Sequence, residues 1–259
     1  MVKFLKRFYL SLIFIFLYAP ILVLIIYSFN ESKSRGHWGG FTLKWYGELF
    51  RDRDIIKALY YTFLVALLSS IISTVIGTFS AIGIHNMGHF GKKLALNINY
   101  LPVLNPDIVT GIALMTLFIS LRMQLGFLTM LLSHIMFNIP YVILSVLPKL
   151  KQMNKHTTEA ALDLGATPSY AFRKVVIPEI MPGVITGALI AFTLSIDDFV
   201  ISFFNTGPGV TNLSIHVFSM ARKGVKPSIN ALTTLMLLTV VILLLLINKR
   251  TTKGDELIP

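Results

Sequence analysis

Three aspartates, Asp107, Asp197 and Asp198, fall inside runs of sequence that are otherwise apolar. An ionised carboxylate at the centre of a membrane helix costs about 2.5–3.5 kcal/mol on insertion scales, so each must face a cavity, a partner or a cation. Lys and Arg are scarce in the same runs, with Arg122 at a boundary, so the expected counterpart is a cationic ligand or a basic residue of another subunit. The chemistry within reach is therefore binding. Carboxylates pair with ammonium groups, and the aromatic faces of Tyr141 and Phe199, with Tyr100 and Phe203 nearby, attract cations. Successive helical residues point about 100° apart, so Asp197 and Asp198 cannot play equal roles. Asp198, three residues after Ser195, is expected to face protein or a cavity and to contact cargo. Asp197 is expected to make a subunit contact or to cap a local break. Asp107 has two readings, as a cargo-lining group or as an anion favoured by the dipole of a half-helix that starts after Asn105 and Pro106.

No catalytic or metal-binding residue is assigned. The stretch 88–93, GHFGKK, lacks the spacing and the terminal Ser or Thr of a phosphate loop. Neither an HExxH pair nor a GxSxG elbow occurs. The chain has no cysteine, which excludes disulfides and thiolate metal sites. Of the 6 histidines only His134 lies in a span, where a hydrogen-bonded packing role is expected.

The elements that position these residues follow from composition. With 54% hydrophobic and 14% charged residues, the chain is too apolar for a soluble domain of 259 residues and must use lipid as its solvent. Six runs, at 8–29, 60–84, 94–121, 127–147, 184–204 and 231–247, are long enough to cross about 30 Å of hydrocarbon. The expected fold is an all-α membrane protein, a single transmembrane domain over 1–259 with both ends on one side. The first run follows Lys3, Lys6 and Arg7 but exceeds a secretory core and lacks a small-residue cleavage pattern, so it reads as a retained helix. The net charge of +11 is spread over every loop, which argues against nucleic acid and for flanking of membrane helices. Placing the termini in the cytoplasm puts 13 of the 23 Lys and Arg inside and 10 outside, a weak bias in that direction.

Asn105 and Pro106 in the third run, and Asn138 and Pro140 in the fourth, are expected to bend or divide their helices. Irregular backbone at membrane depth survives only when buried in protein or facing a wet cavity. Gly183, Gly187, Ala191 and Ser195 form a small-residue stripe that lets another helix approach closely. The segment 41–57 reads as an amphipathic helix in the interface, with Trp38 and Trp45 at headgroup level.

Between the fourth and fifth runs, 149–183 is polar enough to leave the membrane yet strongly patterned. Residues 159–164 form a predicted short helix ended by Gly165 in a left-handed cap. Thr167 and Pro168 start a second predicted helix over 170–176, which Ile177, Pro178 and Pro182 are expected to stop. The result is a rigid elbow able to transmit a partner's motion. Its sequence, EAALDLGATPSYAFRKVVIPEIMPGV, resembles the EAA loop of type I ABC importer permeases. The resemblance covers nearly the whole chain. Asn105 to Val109 and LSIDDFVISFFNTG at 194–207 are similar to the spermidine/putrescine group of that family.

The resemblance implies the six-helix permease fold and a loop that docks in a cleft of an ATP-binding subunit. Glu159 would pair with a basic group there, Ala160 and Ala161 would allow close approach, Gly165 would form the elbow, and Ile177, Pro178 and Pro182 would complete the coupling loop. It also implies a different second permease, a homodimeric ATPase that holds ATP and Mg, an external polyamine-binding protein, and an inner-membrane location. This chain itself would bind no cofactor. The competing readings are an importer of another solute (a metal ion, an anion or an amino acid) and a secondary transporter, which would be expected to carry inverted repeats and no docking loop.

Overall fold

The computed structural model describes residues 2–33, 36–223 and 227–238. Lys57–His216 forms one compact unit, and the described parts of Met1–Ile56 and Val217–Pro259 form a second. In chain order the helices are α1 (Val2–Ser28), α2 (Lys44–Leu49), α3 (Arg53–Asn86), α4 (His89–Leu104), α5 (Asp107–Ser120), α6 (Phe127–Gln152), α7 (Lys155–Asp163), α8 (Pro168–Ala171), α9 (Ile177–Asp197), α10 (Val200–Asn205) and α11 (Leu213–Lys223). A last apolar helix, α12, spans Pro227–Leu238. Among the described residues the only β pairing is an isolated bridge between Asn30 and Phe41.

Among the described residues, four helices are long and apolar enough to cross a bilayer: Lys6–Ser28, Arg53–Asn86, Phe127–Gln152 and the continuous stretch Pro168–Asp197. The third expected span is α4 and α5, divided at Asn105–Pro106 and bent by 106°. Of the expected sixth span, 231–238 lies within α12 and 239–247 lies outside the described residues.

In the unit of 1–56, α1 exposes Phe8, Ile15, Phe16 and Leu17, as a helix solvated by lipid does. The chain after it folds around Asn30, whose side chain donates to the His37 carbonyl (2.8 Å) and accepts from Gly39 N–H (2.8 Å). Trp45 Nε1 donates to the Asn30 carbonyl at 2.6 Å, and Tyr46 meets Ser28 at 2.8 Å. The expected single interface helix over 41–57 is instead two elements. Asp52 accepts from Asp54 N–H at 3.0 Å and so caps the start of α3 after α2 has ended. Trp45, expected at headgroup level, is buried, and Trp38 stays half exposed.

In the unit of 57–216 the core lies where α9 packs on α6. The stripe Gly183, Gly187, Ala191 and Ser195 is buried along its whole length. A Cβ at Gly183 would stand 2.8 Å from the Ser145 carbonyl oxygen, and one at Gly187 would stand 3.2 Å from Val142 Cα. α3 closes the same seam, because a Cβ at Gly77 would stand 2.7 Å from Val142 Cβ. At its far end Asn138 Nδ2 donates to Ser195 Oγ (2.7 Å), which also meets Ser69 Oγ (3.0 Å). Asn138 and Pro140 therefore do not divide α6. The helix runs unbroken, and the amide and the two hydroxyls tie α3, α6 and α9 together.

Candidate functional site

The acidic site is made by two interrupted helices. Pro106 has no N–H to donate and holds an extended ψ of 137°, which starts α5 at Asp107 with the carboxylate in its first turn. The fifth expected span, read as one helix over 184–204, is likewise divided: α9 ends at Asp197, Asp198 is extended (φ −63°, ψ 125°), and α10 begins at Val200. Asp198 makes that break possible. Its carboxylate accepts from Ile201 N–H (3.1 Å) and Ser202 N–H (2.7 Å), satisfying donors that a break would otherwise leave bare.

Asp107, Asp197, Asp198 and Phe199 border one cleft of about 330 Å³, with Phe137 and Thr193 on its walls. Asp107 and Asp197 are exposed there, whereas the Asp198 side chain is only 7% exposed. Asp198 faces protein, as expected, and it rather than Asp197 caps the break, while Asp197 faces the open space. Tyr141 lies within electrostatic reach of Asp107. It stands one turn along α6 from Phe137, with ring centroids 5.4 Å apart.

A buried polar group lies behind the break, in which His134 takes the hydrogen-bonded role expected of it and Ser202 and Asn212 are members that sequence reasoning missed. His134 on α6 is 1% exposed, with Nε2 2.9 Å from Ser202 Oγ and 3.6 Å from Asp198 Oδ2. Asn212 donates to Ser202 Oγ (2.8 Å) and to the Asp198 carbonyl (3.0 Å). The signal that could have found it is Asp198, Ser202 and Asn205 at helical spacing within a strongly apolar stretch.

The first helix of the elbow, expected over 159–164, starts earlier, at Lys155. Asn154 accepts from His156 N–H at 3.0 Å and so caps α7 at Lys155. α7 ends in two reversed bonds, Gly165 N–H to Leu162 O (2.9 Å) and Ala166 N–H to Ala161 O (3.0 Å), with Gly165 at φ +85°. Nothing lies within 4 Å of a Cβ built at Gly165, so the left-handed backbone alone demands glycine. Thr167 accepts from Tyr170 N–H at 3.3 Å and opens α8 at Pro168, as expected.

Ile177, Pro178 and Pro182 do not stop the helix. One π turn, Phe172–Val176, joins α8 to α9, with Ile177 N–H bonded to the Phe172 carbonyl five residues back. The wider turn lets proline follow, and Pro178 falls in the first turn of α9, where a missing N–H costs nothing. The second arm of the elbow is therefore the membrane helix itself. Its root is fixed in the core by Val176 and Ile180. At the tip Leu164 is 89% exposed, and with Ala161 and Tyr170 it borders an open apolar hollow of about 530 Å³. Glu159 and Ala160 are exposed beside it. The contact of Glu159 with His156 (3.1 Å) is solvated and leaves the carboxylate able to take another partner.

Residues 73–252 match the family described as the binding-protein-dependent transport system inner membrane component. The putrescine transport system permease protein PotI of Escherichia coli K12 is 42% identical over 230 residues, covering 86% of this chain and 82% of that protein. The spermidine/putrescine permease proteins PotC of Escherichia coli K12 and Haemophilus influenzae are 38% identical (88% and 86% covered) and 34% identical (90% and 91% covered). A chain of a bacterial ABC transporter that imports the acidic polysaccharide alginate superposes with a TM-score of 0.71 over 97% of this chain and 98% of that one, at 17% identity. A chain of the methionine transporter MetNI gives 0.61 over 83% and 99%, at 18% identity. Both share the fold.

Proposed function

The chain belongs to the family of binding-protein-dependent transport system inner membrane components, and from that premise we propose that it is the permease through which an ATP-driven importer passes polyamines such as spermidine and putrescine. It is a multi-pass inner-membrane transport protein, and its family works with a partner permease, an ATPase and a substrate-binding protein. The particular partners proposed are a second, non-identical permease, a homodimeric ATP-binding subunit that holds ATP and Mg, and an external polyamine-binding protein. ATP hydrolysis falls to the ATPase, and both termini of this chain lie in the cytoplasm with the elbow.

The observation that carries the cargo is the pairing of Asp107 with Asp197 across one aromatic-walled cleft within the membrane bundle. Two carboxylates separated by apolar wall match a methylene chain with an ammonium at each end, and Phe137 and Phe199 offer faces to the same charges. The relatives named for putrescine and spermidine support the same chemistry. Motion reaches the cleft mechanically. The second arm of the elbow is continuous with α9, and helix runs without a break from Pro168 to Asp197, so a displacement imposed at Leu164 and Glu159 is carried to the floor of the cleft. The Gly183 to Ser195 seam makes α6 move with it, because close-packed helices shift together. The test is spermidine uptake and spermidine-stimulated ATP hydrolysis by the complex reconstituted in proteoliposomes with its binding protein. A complex that does neither refutes the cargo.

A further inference from the structure

The cleft has one wall that is not continuous helix, and the groups behind it are polar although buried. Dividing a span at Asp198 exposes backbone N–H and C=O groups that lipid cannot satisfy. Two side chains answer for them. The Asp198 carboxylate takes the N–H groups of Ile201 and Ser202, Asn212 takes the Asp198 carbonyl, and the Asn212 amide also donates to Ser202 Oγ. His134 closes the set from α6, with Nε2 2.9 Å from Ser202 Oγ and 3.6 Å from Asp198 Oδ2. A buried polar atom is costly unless it is used, and here Nε2 is used on the first turn of α10, while Nδ1 has no hydrogen-bond partner among the described residues. At 1% exposure the ring cannot touch cargo.

We propose that His134 is a positioning residue: through Ser202, whose amide the Asp198 carboxylate holds, it pins the start of α10 to α6, and thereby sets where Phe199 and Asp197 stand in the acidic cleft. The relevance to transport rests on the polyamine reading of that cleft; the pinning itself does not. Asp198 is then committed to the protein, and Asp107 and Asp197 are the carboxylates left for ammonium groups. Ser202 is the hinge of the arrangement, since its amide and its hydroxyl face different members of the set.

The test uses the whole complex and exploits the absence of cysteine from the chain. A single thiol introduced by Phe199→Cys is labelled with a small water-soluble thiol reagent in proteoliposomes, alone and together with His134→Leu, His134→Gln or Ser202→Ala. His134→Leu and Ser202→Ala are expected to speed labelling about fivefold, the factor for one lost hydrogen bond, while His134→Gln, which keeps a polar atom near the Nε2 position, restores the parent rate. In parallel, His134→Leu without the thiol lowers saturating spermidine uptake, and adding it to Asp198→Asn lowers uptake no further, because both loosen the same Ser202 turn. Unchanged labelling in His134→Leu and Ser202→Ala overturns the proposal, as do effects of His134→Leu and Asp198→Asn that simply multiply. Should His134→Leu fail to assemble, Ser202→Ala decides alone by the same two readouts. A parent complex that ignores spermidine sinks the cargo reading, and the labelling rates still judge the pinning.

Discussion

Gly165→Val separates the mechanics of the elbow from every side-chain contact around it. With nothing within 4 Å of its Cβ position, a side chain there collides with nothing, so the substitution acts on the backbone alone. At φ +85° a residue with a Cβ costs roughly 1–2 kcal/mol, and a β-branched one lies at the upper end of that range. Against this stand the two bonds that close α7, Gly165 N–H to Leu162 O and Ala166 N–H to Ala161 O, worth about 2 kcal/mol together. Gly165→Val therefore brings the folded elbow close to parity with unwound alternatives, and about half of the molecules lose it. Gly165→Asn, which tolerates the left-handed region, keeps most of it. Gly165→Pro, whose ring holds φ near −65°, abolishes it. Uptake per ATP hydrolysed in proteoliposomes should fall in the order Gly, Asn, Val, Pro, while the amount of permease in the membrane stays constant. Coupling in Gly165→Val and Gly165→Pro equal to the parent would refute the idea that this angle transmits the stroke.

Asp197→Asn should lower spermidine transport about tenfold with the complex intact, since it removes an exposed charge and no backbone partner; copurification with the ATPase together with uptake checks both halves. Asp198→Ala should instead reduce the yield of folded complex, because it strips two N–H groups of their acceptor inside the membrane, and detergent-extracted complex on a sizing column reads this directly. Gly183→Val should cost about 1–3 kcal/mol in thermal stability by forcing α9 away from the Ser145 carbonyl, whereas Thr186→Ala on the exposed face should cost little. Leu164→Glu should leave folding untouched, since the side chain is 89% exposed, and should cut recovery of the ATPase with the permease.

The parts of this protein that were legible beforehand are those governed by short-range rules. Run length against bilayer thickness pointed to the four long apolar helices and to the bent pair of α4 and α5. Gly165, Thr167 and Pro168 announced the elbow because a left-handed cap, an N-cap and a first-turn proline are properties of adjacent residues. The stripe from Gly183 to Ser195 declared a close helix contact, since spacing alone puts small residues on one face. What spacing could not supply was the partner: that the stripe meets Val142, Ser145 and Val146, and that Asn138 binds Ser195 instead of breaking its own helix, follows from how α6 and α9 pair in space. The misread prolines belong here too. Pro178 and Pro182 carry a helix-stopping tendency that one π turn and a buried root at Val176 and Ile180 override.

The acidic site divides along the same line. Composition determined that Asp107, Asp197 and Asp198 must have a reason to lie in apolar sequence, because a bare carboxylate in hydrocarbon is too costly to be accidental. Which of the two adjacent aspartates meets open space was decided by tertiary structure. His134 and Asn212, 64 and 14 residues away along the chain, meet the Asp198–Ser202 turn and convert one carboxylate into a helix cap, leaving Asp197 to the cleft. A sequence records the charge of a residue locally, but the satisfaction of that charge is a contact between distant segments, and only the folded chain brings those segments within hydrogen-bonding distance.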